Sequence, residues 1–244
     1  GGGAITNSES AHISFCYEPG INVGQYIEYD FQDYPPRPGA TYGQSVLADG
    51  AFAYWRFDEP SGLVAVEKVS GANFAYSSPV ETWGPRAPGA ILNNRAISFL
   101  ASDSRRVTGV PTAAFAPLTD GPFSIEFWWR GPAPASDPIL IDLRGTFTFN
   151  ALVRFSSGAL TIHRRNEAFS EQAIVTCPPS VLDGAWHHIA YTVDAVTVAL
   201  YVDGALVVTE PAPAGPFTGP DAVAFGGNAR APVDFVDGAL DDVA

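Results

Sequence analysis

The sequence predicts an all-β fold, a sandwich of antiparallel sheets, and three observations predict it. Apolar residues recur with a period of two, and no long window carries them at the i, i+3, i+4 and i+7 spacing of a buried helical face. Asp-Gly recurs at positions 49, 120, 183, 203 and 237, each time beside an alternating apolar run. These pairs mark strand boundaries, because both residues tolerate the positive φ that tight turns need. The composition, 46% hydrophobic and 12% aromatic with 24 Gly and 21 Pro, suits many short strands joined by turns.

Taken in order, residues 1–32 hold two strand candidates, His12 to Tyr17 and Gly24 to Phe31, too few for an independent core. Asp33 to Ser45 is rich in Pro and Gly and reads as a stiff linker. The expected organisation is therefore an N-terminal β segment and linker over 1–45 and a sandwich over 46–244. Inside the sandwich a strand is expected at Phe52 to Phe57, followed by loop-like sequence and an Asn93-Asn94 turn. Ala96 to Leu100 and Arg105 to Val110, joined through Ala101-Ser102-Asp103-Ser104, read as a hairpin. Phe123 to Arg130 puts Phe123, Ile125, Phe127 and Trp129 on one face and Ser124, Glu126, Trp128 and Arg130 on the other. Large groups on both faces predict a central strand with a cover on its second side.

Ile139 to Leu143, Thr146 to Phe155 and Ala159 to Arg164 read as a meander that turns at Ser157-Gly158. Asp183 to Val208 holds three consecutive antiparallel strands: Ile189, Tyr191 and Val193 alternate with His188, Ala190 and Thr192, Val196 to Val202 repeats the pattern, and Asp203-Gly204 turns the chain back. A Pro-rich loop from Glu210 to Pro220 precedes Ala222 to Phe225 and a last strand within Phe235 to Ala244.

With 13 Lys and Arg against 26 Asp and Glu, the net charge of −13 sets up a field that repels phosphate backbones and anionic lipid. Nucleic acid is not an expected partner. No stretch reaches about 18 apolar residues and no basic segment leads into an apolar one, so neither a membrane span nor a signal peptide is expected. The absence of Met and the Gly1-Gly2-Gly3 opening read as an internal or processed piece of a protein that continues beyond Ala244. Cys16 and Cys177 lie far apart, each among β-forming neighbours. Paired, they would fasten the N-terminal segment to the sandwich and stabilise it by about 2–4 kcal/mol; unpaired, they are two buried thiols.

Six motifs in order carry a family resemblance: Ala53 to Gly62 (AYWRFDEPSG), Arg95 to Val107 (RAISFLASDSRRV), Phe123 to Gly131 (FSIEFWWRG), Asp183 to Asp194 (DGAWHHIAYTVD), Leu200 to Val207 (LYVDGALV) and Asp237 to Ala244 (DGALDDVA). From about Val46 onward the chain resembles laminin-G-like domains of the concanavalin A-like lectin/glucanase superfamily. The resemblance implies a jelly-roll β-sandwich of two antiparallel sheets, with a concave face that binds sugars in some relatives. Such domains occur in secreted multidomain proteins and in phage tail and other virion surface proteins.

Enzymes of this fold place carboxylates in an E-x-D-x-x-E arrangement, so that nucleophile and acid flank the scissile bond about 5–5.5 Å apart. No such triplet is present, and no catalytic residue is expected. His187 and His188 fall inside the fold signature and are assigned a structural role. For ligand binding, Glu126, Trp128 and Arg130 share one strand face and would suit a sugar if the indole is exposed. The competing reading is that Trp128 belongs to a second layer of core. Family members that bind Ca²⁺ use loop carboxylates, for which Asp103, Asp237, Asp241 and Asp242 are the candidates, although Asp at turns and on solvated faces accounts for them without a metal. The function expected is that of a non-catalytic attachment or structural module, extracellular or on a virion surface. Its candidate partners are cell-surface glycans and other subunits of a larger assembly.

Overall fold

The structure is a computed structural model and describes residues 42–83, 87–91, 95–169 and 172–244. The strand candidates within residues 1–32, the Asn93-Asn94 turn and Cys16 lie outside the described residues, so the disulfide expectation rests there too. Cys177 itself is buried, and burial pushes its thiol up to about 12.

In chain order, the described residues form a helix α1 (Tyr42–Ala48) and the strands β1 (Val64–Ala65), β2 (Phe74–Tyr76), β3 (Ala87–Pro88), β4 (Arg95–Phe99) and β5 (Val107–Gly109). A one-turn helix α2 (Pro117–Asp120) leads into β6 (Phe123–Arg130), β7 (Ile139–Arg144), β8 (Phe149–Ser156), β9 (Ala159–Arg165) and β10 (Gln172–Thr176). The chain ends with β11 (His187–Val193), β12 (Thr197–Val202), β13 (Ala205–Pro211), β14 (Ala222–Phe225) and β15 (Gly238–Asp241). They assemble into an eight-stranded sheet, β1-β2-β5-β14-β7-β8-β9-β10, and a seven-stranded sheet, β13-β12-β11-β6-β15-β4-β3, with every pairing antiparallel.

The core lies between the sheets, as the alternating faces require. Phe127, Trp129, Tyr191, Leu200 and Leu240 from one side meet Ile141, Val153, Phe155, Ile162 and Phe225 from the other. The predicted meander is β7, β8 and β9, with Ser157 and Gly158 at φ 51° and 79° in its turn. Asp203 and Gly204, at φ 49° and 82°, close the β12–β13 hairpin as expected.

The histidine pair serves the fold. His187 bridges Asp203 (2.7 Å) and Asp183 (3.2 Å), and the His188 backbone N–H donates to the Asp203 carboxylate (2.9 Å). The start of β11 is thereby tied to the hairpin beyond its neighbour. Burial opposes charge on His187, but the hydrogen bonds to Asp203 and Asp183 outweigh it and raise the pKa.

Three sequence expectations are corrected. Ala96 to Leu100 and Arg105 to Val110 are not a hairpin: β4 pairs with β3 and β15 in one sheet, and β5 pairs with β2 and β14 in the other. A 3₁₀ turn at Ala101–Asp103, closed by Ser104 at φ 55°, sends the chain across the sandwich edge. Turn chemistry alone does not distinguish a hairpin from such a corner.

Phe52 to Phe57 does not run as a strand. Trp55 exchanges both backbone bonds with Val243 (2.8 and 2.9 Å), but the Tyr54 N–H donates to the buried Glu67 carboxylate (2.8 Å) and Phe57 turns away at φ 54°. Glu67 also accepts the N–H groups of Val69, Ser70 and Gly71. A side chain here takes the place of a ladder partner. Finally, Tyr42 to Ser45, read as the end of the linker, forms the first part of α1.

Trp129 sets a tight packing condition. It is fully buried, and a Cβ on Gly131 would fall 2.2 Å from its ring, while one on Gly238 would fall 2.1 Å from it. Gly131→Ala is expected to lower stability by about 1–3 kcal/mol through overpacking, measured by urea unfolding. Gly215→Ala, whose Cβ would meet nothing closer than 3.6 Å, serves as the control with little change.

Candidate functional site

The outer face of the seven-stranded sheet, nominated by sequence through Glu126, Trp128 and Arg130, is largely closed. Helix α1 lies on it. Trp128 is 5% exposed in a small second core with Tyr42, Val46 and Tyr54. The Tyr42 ring meets Trp128 edge-on at 6.4 Å, and the Tyr42 hydroxyl donates to Glu126 (3.0 Å). His188, directly across from Trp128 in the ladder, is buried with its Nε2 3.5 Å from the other Glu126 oxygen. A sugar therefore cannot stack on the Trp128 indole, and the core reading of Trp128 is the one the structure adopts. Arg130 lies apart from both, stacked over Trp186 at 4.9 Å and lining a shallow groove with Ser98, Leu100, Pro132 and Asp237.

The four aspartates proposed as Ca²⁺ ligands divide into two places. Asp103 pairs with Arg105 (2.6 Å), and Asp237 accepts the Ala101 N–H (2.7 Å), both at the corner between the sheets. Asp241 and Asp242 lie four residues further along, roughly 13 Å by strand rise, and are buried. Asp242 accepts the Tyr54 hydroxyl and lies 3.7 Å from Arg56, while Asp241 accepts the Ala90 N–H (2.9 Å). Among the described residues no group of three or more His, Cys, Asp or Glu side chains is arranged to hold a metal ion. Their carboxylates serve as internal acceptors, and the residues present do not form a Ca²⁺ site.

The outer face of the eight-stranded sheet exposes Phe147, Phe169 and Ile174 and carries chemistry that the sequence reading did not single out. The register places Arg144, Phe149, Arg165 and Gln172 opposite one another across β7 to β10. One step along, Asp142, Leu152, His163 and Ile174 form the next row. The Arg165 guanidinium sits between two rings, 3.8 Å from the centre of Phe149 and 4.1 Å from that of Phe169. Phe169 also meets Phe147 edge-on at 6.4 Å, and these two rings are 55% and 57% exposed.

Asp142 neutralises Arg144 at 2.6 Å, and Arg230 reaches the same corner through the Gly145 carbonyl and Asp221 (2.6 Å each). Burial, then the charges of Arg154 and Arg165, push His163 down to about 4, so its ring is neutral at physiological pH and takes a hydrogen bond with the Thr161 hydroxyl (2.9 Å). A sequence signal for this face exists in retrospect. Arg154, His163 and Arg165 occupy outward positions of strands whose inward positions are apolar apart from the buried Arg164, and Phe147 and Phe169 fall in the flanking turns.

The aspartate pair makes stability depend on pH. Burial, then the charge of Asp242, push the Asp241 carboxyl up to about 8, against hydrogen bonds from backbone N–H groups and the charge of Arg56. An unfolded Asp titrates near 3.9, so the folded state binds the extra proton between these values. The stability linked to Asp241 is fully present below about pH 3.9 and is lost as pH rises through about 8. Asp241→Asn is expected to flatten the decline in Tm between about pH 5 and 9 and to exceed the native Tm at the alkaline end. A parallel decline in both proteins contradicts the assignment.

Comparison with known proteins agrees with this architecture. The family model described as the concanavalin A-like lectin/glucanases superfamily, of laminin G type, matches residues 105–244. Calsyntenin-3 of Danio rerio is 24% identical over 145 residues, which cover 52% of this chain and 15% of the relative. Among solved structures, the botulinum neurotoxin serotype D binding domain superposes with a TM-score of 0.57 at 11% identity, over 78% of this chain and 46% of that one. Botulinum neurotoxin type C, which depends upon interaction with two ganglioside molecules to enter cells, gives 0.51 at 16%, over 75% and 46%. This chain thus spans less than half the length of each of these relatives, and at such identities the structural likeness speaks for the fold. With the family model matched over residues 105–244 of a two-sheet antiparallel sandwich, the chain belongs to the concanavalin A-like lectin/glucanases superfamily as a laminin-G-like domain.

Proposed function

We propose that this domain is a non-catalytic recognition module of a larger extracellular or virion-surface protein, and that it attaches to cell-surface glycans through the outer face of the eight-stranded sheet. The observation that carries the reading is the pair of exposed rings, Phe147 and Phe169, grouped around Arg165 on that face. Sugars present C–H faces to aromatic rings and hydroxyls to directed donors, and this face offers both. The ganglioside dependence of the type C neurotoxin supports glycan recognition as a use of the fold.

Against catalysis stands the disposition of the carboxylates. Glu126 is engaged by Tyr42 and His188, and Asp241 and Asp242 are buried out of reach of a substrate. A single shallow sugar site gives a Kd near 1 mM, only about −4 kcal/mol, so attachment would draw on many copies.

A second reading, assembly through protein contacts, is favoured by β13. This strand is a sheet edge whose Leu206 and Val207 are 53% and 39% exposed, a surface suited to strand addition. On a glycan array probed with the multimerised domain, Phe147→Ala and Phe169→Ala are expected to lose most of the signal while a Leu206→Lys variant keeps it. Absence of signal from the native domain, together with concentration-dependent association that Leu206→Lys abolishes, supports assembly instead.

A further inference from the structure

We infer that the Arg165 face takes an acidic saccharide, one whose carboxylate or sulfate is held by the Arg165 guanidinium while its ring packs on Phe147 and Phe169. The inference rests on the glycan reading above and adds the charge of the ligand. A guanidinium clamped between two aromatic faces has its plane fixed, and what remains for it to do is donate from its edge. The Arg165 side chain makes ring contacts to Phe149 and Phe169, 3.8 and 4.1 Å from their centres. A neutral hydroxyl accepts a single bond from such a group, whereas a planar carboxylate or a sulfate accepts two parallel, charge-assisted bonds from it.

The surroundings favour an anion as well. Arg144 stands two strands away on the same row, roughly 10 Å by strand spacing, and Arg154 and Arg230 extend the cationic surface along the same sheet. Asp142 and Asp221 offset part of this charge. Burial and the like charge of Arg144 both disfavour the charged form of Arg165, a cost that a bound anion relieves. The chain as a whole carries a net charge of −13, and this face gathers Arg144, Arg154, Arg165 and Arg230. His163 beside it, held neutral, can donate or accept without adding repulsion.

The test uses one neutral scaffold with different acidic groups. The full 244-residue chain, coupled at many copies to a biosensor, is exposed to lactose, 3′-sialyllactose, 3′-sulfolactose and a hexa-aspartate peptide. At least one acidic lactose is expected to bind about tenfold or more tightly than lactose, consistent with a charge-assisted pair, and to weaken as salt rises. Sialyl over sulfo preference identifies carboxylate as the acidic group, and the reverse identifies sulfate. Arg165→Gln removes the preference and Arg165→Lys restores only part of it, while Arg130→Ala, in the groove beside Trp186, leaves it intact.

Phe169→Ala, at a ring already half-exposed, reports on the same site if Arg165→Gln fails to fold. Equal binding of lactose and its acidic forms, unchanged by Arg165→Gln, overturns the acidic ligand and leaves glycan recognition standing. No binding of any saccharide overturns both. Hexa-aspartate bound as tightly as the acidic sugars, or loss of the preference in Arg130→Ala alone, overturns the assignment in favour of an acidic peptide or of the Arg130 groove.

Discussion

Strand β6 must be covered on both faces, and most of what distinguishes this domain follows from that requirement. Its inward side chains, Phe127 and Trp129 foremost, fill the space between the sheets. Its outward side chains include Trp128, which water would meet unless something lay across it. Helix α1 does so with Tyr42 and Val46, and Tyr54 closes the remaining side. The cover has a polar consequence. Glu126, His188, Asp241 and Asp242 are drawn out of water with it, and each takes an internal partner. A face of this kind is a poor place for ligand exchange, and solvent-facing chemistry is left to the opposite sheet.

That opposite sheet shows how local and global charge part company. The chain is acidic as a whole, but at contact distance a ligand senses the groups within about one Debye length, near 10 Å at moderate salt. On the outer face of β7 to β9 those groups include Arg144, Arg154 and Arg165, with Asp142 as the counterion of Arg144. Long-range repulsion of polyanions and short-range attraction of one acidic group are compatible on the same molecule.

Much of the fold was legible in the sequence because alternation and turn chemistry act locally. Phe123 to Arg130, the meander around Ser157-Gly158 and the three strands after Asp183 all depend on neighbours a few residues apart. What escaped the sequence depends on distant partners. Whether Ala101 to Ser104 closes a hairpin or rounds a corner is decided by β14 and β15, more than a hundred residues later. Tyr54 leaves the strand pattern because a carboxylate at Glu67 competes for its N–H. The exposure of Trp128 was the pivotal unknown for the site, and it turned on a helix that Pro and Gly nearby had disguised as linker. Arg165, an arginine in an alternating strand, has the pattern of ordinary solvated surface until the rings on either side of it are placed.

The strand order has a consequence for how the domain comes into being. β14 lies between β5 and β7, and β15 lies between β4 and β6, so each sheet is split down its middle until the last part of the chain arrives. During synthesis the earlier strands emerge as two unfinished halves in each layer, with unpaired edges turned toward one another. The final strands complete both sheets. Assembly of this kind makes the domain's folding an event of completion rather than of growth, with its slowest step set by contacts of long sequence separation.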